Sequence, residues 1–104
     1  MVRKSLDFAA IERAAMANIE TIVRQALPRG KMSGHEYLAL NPRRADKHIG
    51  SFKVNLRTGK WADFASGDSG GNIISLVSYA CDVSYYEAAE HLAKQLGVGG
   101  VQHD

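Results

Sequence analysis

Residues 52–64 alternate so regularly that little besides a β-hairpin accommodates them. Phe52, Val54 and Leu56 are separated by Lys53 and Asn55, which places three apolar side chains on one face of an extended strand. The connection Arg57-Thr58-Gly59 suits a three-residue loop with Gly59 in the left-handed conformation. Residues 60–64, Lys60-Trp61-Ala62-Asp63-Phe64, form the return strand. Trp61 and Phe64 fall on opposite faces of that strand, so only one of them need be core.

The remaining segments are laid around this hairpin. Residues 5–26 read as one amphipathic helix, with Ile11, Ala15, Ile19, Ile22 and Val23 at helical spacing. Pro28 and Gly30 stop it. A polar turn over 29–34 leads to a short β-like run at 35–40, closed by Asn41-Pro42. Beyond the Gly-rich stretch 67–71 the pattern turns helical twice. The first helix, about 72–80, buries Ile73, Ile74, Leu76 and Val77, with Asp68 or Ser69 as its expected cap. The second opens at Ser84, paired with Glu87 in a capping box. It buries Ala88, Leu92 and Leu96 and ends at Gly97. The order α-β-β-β-α-α predicts an α+β domain, a small antiparallel sheet flanked by an N-terminal helix and two C-terminal helices.

With 104 residues the chain suffices for one domain, and its single cysteine, Cys81, excludes an internal disulfide or a cysteine-based zinc site. Cys81 follows an apolar helix face and reads as a small hydrophobe. No apolar run approaches the roughly 20 residues of a membrane span, and a cytoplasmic location is expected. The formal charge of +2 conceals an asymmetry. From Arg24 to Lys60 there are nine basic residues against Glu36 and Asp46, a net of +7, while the flanks carry −5. Such a middle suits a polyanion, or serves as a solvated basic face.

Five short elements also occur in a known order. They are Asn41-Pro42-Arg43-Arg44, Gly50-Ser51-Phe52-Lys53-Val54, Trp61-Ala62-Asp63-Phe64-Ala65-Ser66-Gly67, Gly70-Gly71-Asn72-Ile73-Ile74 and Ser84-Tyr85-Tyr86-Glu87-Ala88-Ala89. In this register the chain resembles the amino-terminal zinc-ribbon domain of bacterial-type DNA primases, especially the plasmid and phage primase-helicase forms. The resemblance implies a single primase zinc-ribbon-like domain over 1–104. Within it lie an N-terminal helix (1–30), a ribbon-like core (35–97) and a tail (98–104). It also places the family's four metal ligands at Asn41, Arg44, Asp63 and Ser66. Arg44 has no lone pair to donate, and zinc prefers thiolate or imidazole. The histidines His35, His48, His91 and His103 show no paired spacing that replaces the ligands. A metal-free ribbon without cofactor is therefore expected, with Arg44 and Asp63 as a candidate ion pair at the old site.

The basic residues on and near the hairpin, Arg43, Arg44, Lys47, Lys53, Arg57 and Lys60, are the candidate nucleic-acid contacts, since phosphate binding releases counterions. Trp61 is a candidate for stacking an unpaired base, or else packs beneath the sheet. The 67–71 loop before a helix start suits an anion, or is simply a tight turn. Neither paired carboxylates nor a Cys–His couple is visible, so no enzyme is expected in these residues. Met16, Ile19, Ile22 and Val23 cover the core or dock a partner. The expected function is a non-catalytic module binding single-stranded DNA template, with RNA as the other candidate strand, in replication of a plasmid, phage or integrated element. The alternative is an accessory domain that engages a replicative helicase or polymerase.

Overall fold

Asn18 divides the first helix in two. It caps the end of one helix and the start of the next at φ −124°, ψ 29°, and its side-chain amide donates to the Ala14 carbonyl at 2.8 Å. An asparagine that bonds the backbone of its own helix competes with the regular ladder, and a break follows where the apolar spacing alone predicts continuity. The computed structural model describes residues 5–43 and 49–99. In chain order the elements are α1 (Phe8–Ala17), α2 (Ile19–Ala26), β1 (Lys31–Ser33), β2 (Glu36–Ala39), β3 (Phe52–Asn55), β4 (Trp61–Asp63), β5 (Ser69–Gly70), α3 (Ile73–Cys81) and α4 (Tyr85–Leu96). The chain is an α+β domain, as its pattern predicts.

All five strands pair antiparallel in the order β1-β2-β3-β4-β5. The central hairpin has Val54 opposite Trp61 and Phe52 opposite Asp63, and Gly59 takes φ +80° in its loop. That loop is one residue longer than the spacing predicts, because the Asn55 N–H closes it on the Lys60 carbonyl at 2.8 Å. The Asn55 side chain stiffens the turn by accepting from the N–H groups of Arg57 and Thr58.

Two edge strands lie outside the predicted set. β1 occupies part of the segment expected as a polar turn; all three of its residues are exposed, so it carries no alternation to read. β5 comes from the Gly-rich stretch, where Gly70 pairs opposite Trp61. A Cβ on Gly70 would stand 2.4 Å from Trp61 Nε1 and 2.6 Å from Ser75 Oγ, so only glycine lets this edge lie over the indole.

The pleat sends Tyr37 and Ala39, Phe52 and Val54, and Trp61 and Asp63 inward. All of these but Asp63 join Ile11, Val23, Ile73, Leu76 and Leu92 in one continuous core. The helix caps differ in how far sequence foretells them. Ser84 and Glu87 form the expected capping box, and Gly97 closes α4 in the left-handed region at φ +69°. At α3 the cap is Asn72, boxed with Ser75, and neither Asp68 nor Ser69 fills that role. Asn72 directly precedes the helix and its side chain reaches the Ser75 N–H at 2.9 Å. Cys81, expected as a small hydrophobe, is exposed at the end of α3.

Candidate nucleic-acid interface

At one end of the sheet a polar cluster occupies the place that the resemblance gives to a metal. Asn41 follows β2 and Asp63 ends β4; both are buried. The Asn41 amide nitrogen donates to Asp63 Oδ2 at 2.6 Å and to the Tyr79 hydroxyl at 2.9 Å. Tyr79 in turn donates to Asp68 Oδ2 at 2.7 Å. Asn41 Oδ1 accepts from the Arg43 N–H at 2.7 Å, and Asp63 Oδ1 from the Ala65 N–H at 3.0 Å.

Burial alone would raise the Asp63 pKa. Hydrogen bonds from Asn41, the Ala65 backbone, Ser51 and Ser66 outweigh it and hold the carboxyl at about 2, below its ordinary 3.8. Burial likewise pushes the Tyr79 phenol above its usual 10.0; the Asn41 bond opposes this, and the Asp68 carboxylate adds to it. At neutral pH the cluster therefore holds an ionised Asp63 and a protonated Tyr79.

Three of the four positions, Asn41, Asp63 and Ser66, meet here. Arg44, and with it the expected Arg44–Asp63 pair, lies outside the described residues. The donors present are an amide, a carboxylate and a hydroxyl, and the amide nitrogen already donates to the carboxylate. This set does not fit the tetrahedral thiolate and imidazole shell of a structural zinc. Among the described residues no group of three or more His, Cys, Asp or Glu side chains could hold a metal ion.

The opposite face of the sheet is open. A groove of about 340 Å³ crosses it, lined by Glu36 of β2, Lys53 and Asn55 of β3, Lys60, Ala62 and Phe64 along β4, and Ser69 of β5. Phe64 is 72% exposed, and the Lys53 ammonium lies over its ring, 5.5 Å from the centroid. The strand register puts Lys31 on the same side, since it pairs with Leu38 while the neighbouring Tyr37 points inward. An exposed aromatic ring among lysines on an open sheet combines a stacking platform with phosphate contacts.

The predicted contact residues divide accordingly. Lys53 and Lys60 share the groove, and Arg57 is exposed in the adjoining β3–β4 loop. Arg43 stands apart as a staple. Its Nε donates to the Tyr79 carbonyl and its Nη2 to Asp82 Oδ1, each at 2.9 Å, and its guanidinium lies 4.5 Å from the Tyr79 ring centroid. Those bonds tie its Nε and one Nη2 N–H to the domain itself. Lys47, like Arg44, falls outside the described residues.

Trp61 takes the second of its two readings and packs beneath the sheet. It is 5% exposed, stacked on Phe52 at 5.6 Å and packed on Tyr79 at 4.8 Å, and its Nε1 donates to Ser75 Oγ at 3.0 Å. With its faces covered by other rings it cannot stack a base. Phe64 holds the exposed position instead, and the only trace in the sequence is its odd spacing from Trp61.

The 67–71 loop does not present a free anion site at the start of α3. Glu12 of α1 reaches across and accepts from the Ile73 N–H at 2.8 Å and the Ile74 N–H at 3.1 Å. An internal carboxylate thus satisfies the amides that an external anion would need, and ties α1 to α3.

A five-stranded ribbon-like sheet backed by helices, with a polar knot at one end, defines a primase-type zinc-ribbon frame without the zinc ligand chemistry. The family model of the CHC2 zinc finger, the DnaG-type zinc ribbon, matches residues 7–103, and the chain belongs to that family. Among solved structures it is similar to the Aquifex aeolicus primase crystal structure containing the zinc-binding and RNA polymerase domains, at TM-score 0.70 and 27% identity. The match covers 96% of this chain and 23% of that one, so the chain spans about a quarter of the length of the solved primase. No curated protein sequence matches it. No helix among the described residues is long and apolar enough to cross a membrane.

Proposed function

We propose that this domain is a non-catalytic primase module that binds single-stranded DNA template on the outer face of its sheet, in replication of a plasmid, phage or integrated element. The observation that carries this reading is Phe64, a largely exposed ring beneath the Lys53 ammonium in a groove shared with Lys60. Phosphates would meet Lys53, Lys60 and Arg57, and one base would lie on Phe64. Family membership supports a primase setting, in which nucleotide polymerisation belongs to another part of the machinery. The bases and the ring interact through their faces, so RNA is the natural competitor in any binding assay.

Fluorescence anisotropy of a labelled 15-nucleotide strand, titrated across a salt series, tests the reading. It expects micromolar binding at low salt that weakens steeply as salt rises. Absence of binding at low salt overturns it.

The accessory-domain reading has its own observation. Phe8 on α1 and Tyr85 and Tyr86 on α4 form an exposed aromatic cluster, with ring centroids 5.7 and 6.3 Å from Phe8. The double reversal Lys53→Glu with Arg57→Glu separates the two readings. It abolishes strand binding if the sheet face is the site, and leaves capture of a helicase or polymerase through the helices intact.

A further inference from the structure

β1 is an outermost strand of the sheet, and no described strand pairs with its far side. Its backbone direction follows from the two-residue turn at Gly34 and His35, where Gly34 takes φ +63°. Such a turn closes on a pair of residues that exchange both backbone bonds, here Ser33 and Glu36. Antiparallel pairs alternate, so Lys31 and Leu38 also bond to each other, whereas Met32 and Tyr37 face each other without bonding. The N–H and C=O of Met32 therefore point away from β2, out of the open edge. Around them lie an apolar side chain and a set of cations. Met32 itself is 36% exposed, with exposed Lys31 beside it. Arg29, two residues before the strand, is held in the left-handed region at φ +70°, where a side chain is strained. Neither the Lys31 nor the Arg29 side chain makes an ion pair or hydrogen bond with a described residue. Arg24 adds a third cation, over the ring of Tyr37 opposite Met32, and shares its charge with Glu20 at 3.2 Å.

An open edge of this kind discriminates between occupants. A second copy of the chain would bring Lys31 and Arg29 up against their own like, and cations on an edge guard against that pairing. An acidic segment brings the opposite charge. We propose that β1 is a docking edge for an extended acidic peptide of a partner protein, which joins the sheet as a further strand. Its backbone bonds to the Met32 N–H and C=O, its carboxylates face Lys31 and Arg29, and an apolar side chain packs on Met32. Main-chain bonds hold the peptide and the cations select it. The inference uses the β1 edge alone and does not rest on single-strand binding by the outer face.

Anisotropy of a fluorescein-labelled peptide, Asp-Asp-Val-Asp-Ile-Asp-Val-Asp-Asp, tests it on the full chain at low salt. This peptide should bind, and the same peptide with lysine for every aspartate should not. An apolar residue opposite Met32 must donate its own N–H to the Met32 carbonyl. A peptide N-methylated at its valines and isoleucine should therefore bind about tenfold more weakly. Met32→Pro removes the outward N–H without breaking a β1–β2 bond and should cost about the same factor, with thermal unfolding followed by circular dichroism to confirm the fold. Lys31→Glu should weaken binding about tenfold, while Lys53→Ala, on the outer face, should change it by less than about twofold. Failure of the acidic peptide to bind, equal binding of the lysine peptide, or an N-methylated peptide as tight as its parent overturns the proposal. The last of these is read on the unmodified protein and holds even if Met32→Pro fails to fold. A folded Met32→Pro variant with full affinity also overturns it. So does a greater loss in Lys53→Ala than in Lys31→Glu, which would move the peptide to the groove.

Discussion

The Asn41 amide nitrogen lies 2.6 Å from Asp63 Oδ2, joining the end of β2 to the end of β4 at the position where a zinc ribbon places its metal. Tyr79 from α3 and Asp68 from the turn after β4 extend the contact into a chain of side-chain hydrogen bonds. Two strand ends and a helix are thus fastened by polar groups that need no cation from outside. A buried amide and a buried carboxylate are each costly alone, and here each satisfies the other.

The knot should weaken in acid. The folded-state pKa of Asp63, about 2, lies below the ordinary 3.8, so its stabilising contribution is present above about pH 4 and is lost as pH falls through 2. The difference corresponds to roughly 2 kcal/mol. Urea unfolding of the wild type between pH 7 and pH 2 should show this loss. Asp63→Asn should be less stable by a similar amount at pH 7 and show a flatter pH profile.

Metal should make no difference to stability. The donor set at Asn41, Asp63 and Ser66 offers no thiolate or imidazole. Thermal unfolding in excess EDTA and in equimolar zinc should give the same Tm, and elemental analysis should show no stoichiometric zinc. One zinc per chain would contradict the assignment of the cluster.

Basic residues of one charge should split into two behaviours. Lys53→Ala and Lys60→Ala should each flatten the slope of log Kd against log salt by about 0.7, the loss of one single-strand phosphate contact. Arg43→Ala should leave the slope unchanged. It should instead lower stability by about 1 kcal/mol, through the lost bonds to Tyr79 and Asp82 and the lost ring contact. In a domain of this size that lowers Tm by roughly 4–8 °C.

The same contrast marks how far the sequence could be read. Alternation from Phe52 to Leu56 and the Ser84–Glu87 box are local patterns, and local geometry reproduces them. β1 and β5 are edges whose residues are mostly exposed, so nothing in their own composition distinguishes them from turns; their partners in β2 and β4 make them strands. Trp61 and Phe64 are two aromatics on opposite faces of one strand. Which is core was decided by α3, which brings Ser75 and Tyr79 to the Trp61 side. Likewise, Arg43 is a staple only because Asp82 and the Tyr79 carbonyl stand within its reach, nearly forty residues along the chain. The site was therefore legible as a charged hairpin carrying Lys53, Arg57 and Lys60, whereas the exposed ring of Phe64 and the inward commitment of Arg43 were not.

Mapping backbone amide shifts by ¹H–¹⁵N NMR during titration with a 15-nucleotide thymidine strand locates the binding surface most directly. The outer sheet face predicts the largest changes at Lys53, Lys60, Ala62, Phe64 and Ser69, with the amides around Phe8, Tyr85 and Tyr86 unmoved. Changes confined to the α1 and α4 aromatic cluster, or none at all at low salt, would contradict it.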